Sequence, residues 1–301
     1  MSLPKPAVVI GDGIIDAVQT SDAPSVLYAG GAALNLAVGL ARLGVPSVLA
    51  GRIGLDRNGF RLMRYLREEG VGLINTPNAD FTGVATSRRR GGEPSYEFTA
   101  SLFRRRIAFN SVLLKAVAEA PAVAVNSFSY DDSAQTDALC RALEAAPGLK
   151  VLDPNPRPRL IADLGAFREG FEGTSARANL VKLSDEDARL FYGRDDDGLA
   201  ASLFERGVEV VLFTRGRLGA SIFTRSGLHA AAPVTRLAPP IVDTMGAGDA
   251  TLASVIAFIL VEGTPRDNEG WRGCLKQAMD IAAATCRSAG GALVRPFAAD
   301  A

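Results

Sequence analysis

DTMGAGDA, residues 243–250, decides the reading of this 301-residue chain. Gly246, Ala247 and Gly248 carry almost no side chain, so backbone can approach an anion closely, and the apolar run 250–261 that follows has the length of a buried helix. Unpaired N–H groups at the start of that helix would face the anion. Beside them, Asp249 can accept the proton of a hydroxyl attacking in line with a γ-phosphate. The pattern predicts alcohol phosphorylation; a turn with a helix N-cap is the plainer reading of the same residues.

A second segment, GGAALNLAVGLARLG at 30–44, narrows the choice. Gly30 and Gly31 lead into a helix whose apolar residues recur at Leu36, Leu40 and Leu43, and Gly44 stops it. Asn35 puts an amide in the first turn, beside glycines that leave room for a ligand; capping the helix is its other reading. In this order and at this separation the two segments resemble the signature motifs of the ribokinase/PfkB carbohydrate kinase family, fructokinase-like members above all. Further likenesses are GRIGLDRNG (51–59), DPNPR (153–157), VKLSDED (181–187) and TRGRLGA (214–220), so the resemblance covers nearly the whole chain.

The resemblance implies an α/β ribokinase-like three-layer sandwich with a mostly parallel central sheet and a small β lid. It spans 1–301 as a single kinase domain, with lid segments near 17–28 and 83–100 that close over the sugar and offer a surface for a homodimer. The implied activity is ATP-dependent phosphorylation of a primary sugar hydroxyl, on a ketose such as fructose. 2-Keto-3-deoxygluconate, ribose and nucleosides are alternatives within the family. A non-catalytic sugar or nucleotide sensor is the reading from another class, against which an intact GAGD argues. Asp249 would be the base, and Gly246, Ala247 and Gly248 the anion hole. Asp16 matches the family's acceptor of sugar hydroxyls, with Gly30, Gly31 and Asn35 completing that side; taken alone, Asp16 also reads as a helix N-cap.

Asp153, Asn155 and Arg157 form D-x-N-x-R, a variant known among fructokinases and 2-keto-3-deoxygluconate kinases. Arg157 would pair a substrate anion or the transferred phosphate, or else belong to a loop stiffened by Pro154, Pro156 and Pro158. Lys182, Ser184, Thr214, Gly216 and Gly219 fall in the nucleotide-binding segments, although TRGRLGA reads equally as a hairpin turn before GASIFT. Ser184 and Asp187 stand in place of the family's N-x-x-E, whose carboxylate orders water around Mg²⁺, while SDED is also a common helix opening. Asp243, with Thr244 and backbone near 288–291, matches a monovalent-cation site of some members; the tail SAGG departs from that pattern and disfavours K⁺.

Bulk properties agree. Basic and acidic residues balance at 33 each, which leaves no global field for nucleic acid or an anionic membrane, and 48% hydrophobic content supports a large core. The arginine runs 88–90 and 104–106 read as solvated faces, held in reserve as anion contacts. Three spaced cysteines suit a reducing cytoplasm better than a disulfide framework, and the one histidine, His229, cannot build a metal cluster or a triad. The opening MSLPKPAVVIG lacks a signal peptide's architecture, and no apolar run is long enough to span a bilayer, so a cytoplasmic protein is expected. GDGIID begins like a dinucleotide fingerprint, but Asp16 replaces the third glycine, and no Walker motif occurs.

Short apolar runs at 7–10, 47–53, 122–126, 150–152, 179–183 and 208–214 alternate with helical patterns at 137–146, 185–192, 199–206, 249–261 and 271–287, predicting a parallel sheet covered on both faces. Ligands of such sheets bind at the carboxyl ends of strands, where Asp12, Asn126, Asp153 and Asn155 fall.

Overall fold

The computed structural model describes residues 4–19, 24–76, 80–88, 95–193, 198–238 and 241–293. In chain order its strands are β1 (Ala7–Gly11), β2 (Ile14–Gln19), β3 (Val26–Gly30), β4 (Ser47–Gly51), β5 (Gly72–Asn75), β6 (Val84–Arg88), β7 (Ser95–Phe98), β8 (Ala122–Asn126), β9 (Leu149–Asp153), β10 (Leu180–Ser184), β11 (Val210–Thr214), β12 (Ala220–Thr224) and β13 (His229–Ala232). Its α-helices are α1 (Ala32–Arg42), α2 (Arg57–Glu68), α3 (Ser111–Glu119), α4 (Ser133–Ala145), α5 (Leu164–Ser175), α6 (Asp185–Tyr192), α7 (Gly198–Glu205), α8 (Ala247–Glu262) and α9 (Asn268–Thr285).

All six runs expected as strands enter one nine-stranded sheet, ordered β13-β12-β11-β10-β9-β8-β1-β4-β5. Pairing is parallel from β11 to β5, and β12 and β13 are added antiparallel at one edge. Because side chains alternate along a strand, Val9 of β1 faces one helical layer while Val8 and Ile10 face the other; Leu180 and Val181 of β10 divide in the same way. The first layer draws on α1, α2, α8 and α9, the second on α3 to α7, which is the three-layer α/β arrangement expected.

Helix α8 is apolar or small all round, and residues 249–257 are buried without a break. It approaches α1 most closely at Gly39, where an added Cβ would lie 2.8 Å from Ala253 Cβ. Helices α4 and α9 start earlier than the apolar period suggests, because Asp132 and Asp267 cap them by accepting from the amides of Gln135 and Gly270.

A second sheet of four strands, β3-β2-β6-β7, contains the expected lid segments. It begins at Ile14 rather than at 17, while residues 20–23 and 89–94, with Arg89, Arg90 and the Gly-Gly turn, lie outside the described residues. GDGIID therefore runs from strand to strand. This removes the dinucleotide-fold reading, which needs a helix there, and also the N-cap reading of Asp16. Among the described residues no helix is long and apolar enough to cross a membrane.

Candidate active site

The geometry centres on the start of α8. Gly246 precedes it at φ 77°, and a Cβ there would lie 2.0 Å from the Gly291 carbonyl oxygen, so both conformation and space demand glycine. No side chain caps this start; the Ala247 amide turns back to the Thr244 carbonyl oxygen at 3.3 Å, and the amides after it in the first turn are available to an outside acceptor. At Gly248 a Cβ would meet nothing nearer than the Lys182 ammonium nitrogen at 3.6 Å, so that cation stands in van der Waals reach of the helix start.

Asp249 is 9% exposed and anchored from two other elements. Its Oδ2 accepts from Asn35 Nδ2 of α1 at 3.1 Å and its Oδ1 from Asn126 Nδ2, at the end of β8, at 3.2 Å. Burial pushes its pKa up, while the Asn35 hydrogen bond, the Lys182 charge and the Asn126 hydrogen bond pull it back. Asn35 does not cap its helix: the N-cap is Gly31, which has no side chain to offer. One turn beyond Asn35 and Asp249 lie Gly39 and Ala253, whose close approach brings the two side chains into reach. The other atom of the Asn35 amide, Oδ1, is buried with no hydrogen-bond partner.

Neighbouring strand ends supply the rest. Asn126 and Asp153 are paired in register on β8 and β9. Asp153, wholly buried, forms an ion pair with Lys182 of β10 at 3.0 Å. Burial pushes the Asp153 carboxyl up and Lys182 draws it back; burial opposes the Lys182 charge, yet Asp153, Asp187 and Asp249 hold its ammonium above the usual lysine range. Ser184 and Thr214 are also in register. Ser184 and Asp187 form a reciprocal capping box on α6, so the helix-opening reading of SDED is what the backbone adopts. Gly216 starts a single 3₁₀ turn and Gly219 ends it, joining β11 to antiparallel β12, so the hairpin reading of TRGRLGA also holds.

The small sheet brings Asp16 to the same place. Its carboxylate lies over Gly30, where a Cβ would come within 1.9 Å of Oδ2, and the Gly31 amide hydrogen-bonds to it. Burial raises the Asp16 pKa to about 6; Arg157 and the Gly31 amide lower it, and Asp249 and Asp243 add to the rise. Arg157 is exposed at the head of a 3₁₀ turn (Pro158–Leu160), and its guanidinium makes no hydrogen bond among the described residues, but its charge reaches both Asp16 and Asp249. Asp243 is buried, and its Oδ1 accepts from the Met245 amide at 3.1 Å.

The raised Asp16 pKa fixes a sign. A carboxyl titrating higher in the folded state than its ordinary 3.8 binds its proton more tightly when folded, so its contribution to stability is complete below 3.8 and lost as pH rises through about 6. Asp16→Asn, neutral throughout, is expected to raise the thermal midpoint at neutral pH and to change it little near pH 4. Thermal melts of parent and variant across that range check this; parallel pH slopes would contradict it.

One residue with a place in the site escaped the sequence reading. Arg104 and Arg106 are exposed, as expected of that run, and pair with Asp80 and Asp132. Arg105 is instead buried, 2.9 Å from Asp12 at the end of β1 and 3.4 Å from the Ser127 carbonyl oxygen. Extended alternation turns 105 away from 104 and 106, a signal the charge run concealed. Asn155 lies at the strand end where the sequence put it, and its Nδ2 donates to Asn126 Oδ1 at 3.3 Å.

Comparison with known proteins identifies the family and the fold. A family model described as pfkB family carbohydrate kinase matches residues 6–297. The fructokinase of Escherichia coli is 28% identical over 297 residues, covering 96% of this chain and 95% of its own, and that of Rhizobium leguminosarum bv. trifolii is 30% identical over 241 residues, covering 78% and 72%. Among solved structures, a fructokinase from Xylella fastidiosa with bound ATP superposes with a TM-score of 0.80 at 22% identity, over 96% of this chain and 94% of that one. An aminoimidazole riboside kinase from Salmonella enterica superposes with a TM-score of 0.78 at 23% identity, over 97% of each chain.

Proposed function

The chain belongs to the pfkB family of carbohydrate kinases, and we propose that within it this protein transfers the γ-phosphate of ATP to a primary hydroxyl of a ketose, fructose first. The observation that carries the reading is the Asp249 carboxylate, gripped by two amides at a helix start that no side chain caps, with the Lys182 ammonium close to that start at Gly248. The name fructokinase on relatives that align along nearly the whole chain supports the choice of sugar.

Asp249 takes the proton of the attacking hydroxyl as the oxygen closes on phosphorus. Gly246, Ala247 and Gly248 present the amides that hold the transferred phosphate's oxygens, and Lys182, which stays charged, balances them from beneath Gly248. Asp16 accepts from sugar hydroxyls, and the unpartnered Oδ1 of Asn35 accepts another. Ser184, Thr214, Gly216 and Gly219 line the strand ends where the nucleotide would lie. Among the described residues no cluster of three or more acidic, histidine or cysteine side chains could cage a metal. That donor set fits Mg²⁺ held by phosphate oxygens and water, with Asp187 as the carboxylate that orders the water; when bound, the ion neutralises charge on the phosphates. The four-stranded sheet serves as the lid that excludes water, and its outer face as the surface of a homodimer.

A second reading rests on Arg157, a guanidinium without a hydrogen bond near Asp16: it would suit a sugar acid such as 2-keto-3-deoxygluconate. ADP release measured over ketoses, aldoses, sugar acids and nucleosides decides. Fructose is expected to give the highest kcat/KM, and Asp16→Ala to raise the KM for sugar about 10-fold while sparing that for ATP. A parent preference for the acid that collapses in Arg157→Met would install the second reading.

A further inference from the structure

Asn126 and Asn155 form a chain of amides that ends on the proposed base. Asn155 Nδ2 donates to Asn126 Oδ1 at 3.3 Å, and Asn126 Nδ2 donates to Asp249 Oδ1 at 3.2 Å. An ionised carboxylate only accepts, so Asn126 must turn its NH₂ toward Asp249 and its oxygen away. Nothing in the Asn126 side chain enforces that choice, because an amide flipped end for end has nearly the same shape. The Asn155 NH₂ adds to the carboxylate's own demand, because it donates to an Asn126 oxygen turned outward.

The backbone at both links departs from what their sequence favours. Asn155 stands between Pro154 and Pro156 at φ 38°. A residue before proline is ordinarily driven to extended conformations, so this one is held in a left-handed conformation against its neighbour. Ser127, directly after Asn126, is also left-handed at φ 58°, and its amide reaches the Asp153 carbonyl oxygen at 3.2 Å. These two are the non-glycine residues with positive φ among those described, and they flank one hydrogen-bonded pair. Unusual backbone that serves one contact points to a constraint on that contact.

We propose that Asn126 and Asn155 are positioning residues for phosphoryl transfer: Asn155 locks the Asn126 amide in the donor orientation, and Asn126 thereby fixes the plane and charge of the Asp249 carboxylate. Each Asp249 oxygen receives one amide, from Asn126 or Asn35, and keeps its other lone pair for the incoming hydroxyl. Loss of the lock would let the Asn126 oxygen face the carboxylate, turning an attraction into a repulsion. The charged groups that also act on Asp249 are Lys182 on β10 and Arg157 after β9, which favour its anion, while Asp16 on β2 and Asp153 on β9 are carboxyls coupled to it. None of them lies within the amide chain.

The proposal rests on Asp249 as base and is tested on the whole protein by Asn155→Gly, which keeps the left-handed backbone and removes only the lock. Its kcat is expected to fall about 10-fold, with the KM for sugar and ATP within about twofold of the parent. The acidic limb of its kcat profile should move up by about half a pH unit, because the carboxylate has lost a donor. Asn126→Ala should cost about 100-fold. In that background Asn155→Gly should add nothing, since it acts only through Asn126. A structural role alone would lower the thermal midpoint and leave the pH limb where it was. The lock is overturned if Asn155→Gly keeps the parent's kcat and pH limb, if its loss lies in KM, or if its effect persists in Asn126→Ala. Those outcomes with an inactive Asp249→Asn remove the lock alone; an active Asp249→Asn removes the base assignment as well.

Discussion

Asp249→Asn is expected to lower kcat by about 10²- to 10⁴-fold, the range typical of losing a general base, while ATP still binds with near-parent affinity. The carboxylate is the one group at the head of α8 able to take a proton, whereas the elements proposed for phosphate, the glycine start and Lys182, are untouched by the change. Shape and volume are preserved, so the fold should stand. Initial rates with saturating sugar, set beside nucleotide affinity by equilibrium titration, separate the two effects. A kcat near the parent's would show that proton removal is not the function of Asp249.

The second large effect is expected at the buried pair beneath the helix. Lys182→Met strands the Asp153 carboxylate with no cation in a site it shares with Asp187 and Asp249, and breaking one side of such a pair costs about 3 to 5 kcal/mol. Without Lys182 the Asp153 carboxyl must titrate still higher when folded. Its penalty is therefore absent below the ordinary carboxyl range and grows as pH rises, so the gap from the parent should be widest at neutral pH and narrow toward pH 4. Asp153→Asn combined with Lys182→Met should regain most of the stability, because neither half of the pair is left as an unmatched charge, but not the turnover, because the transferred phosphate has lost its counter-charge. Urea unfolding of the single and double variants at two pH values, with rates alongside, checks both halves. Recovery of turnover in the double variant would reduce Lys182 to a structural role.

The central sheet was legible because its inner strands are buried on both faces and so read as unbroken apolar runs, as in AVVIG and AVAVN. The edges were not. GLIN of β5 is half exposed and starts with glycine, and ASIFT of β12 follows a glycine turn and runs antiparallel, outside the alternation of strand and helix that guided the reading. Helix α5 was hidden by Gly165, Gly170 and Gly173, residues that disfavour helix on propensity. Tertiary packing explains one of them, since a Cβ on Gly170 would lie 2.1 Å from the Tyr130 carbonyl oxygen. In the site, Asp249, Asn35 and Asp16 could be found from their motifs. Asn126 and Asp153 could be placed at strand ends, but not their pairing with Asp249 and Lys182, which lie far from them in sequence and are brought to them only by strand order.

The contact of Gly39 with Ala253 carries a wider consequence. The span between the Asn35 amide and the Asp249 carboxylate is gauged by two residues that touch neither ligand nor proton, one turn deeper in each helix. Reactivity here is tuned from the core, as a hinge pin sets the gap of a jaw. A chain drifting over evolutionary time could keep every polar residue of the site and still fall silent through one extra methyl group at that crossing. If Asp249 is the base, the constraint on this site extends inward to two residues that have to stay small.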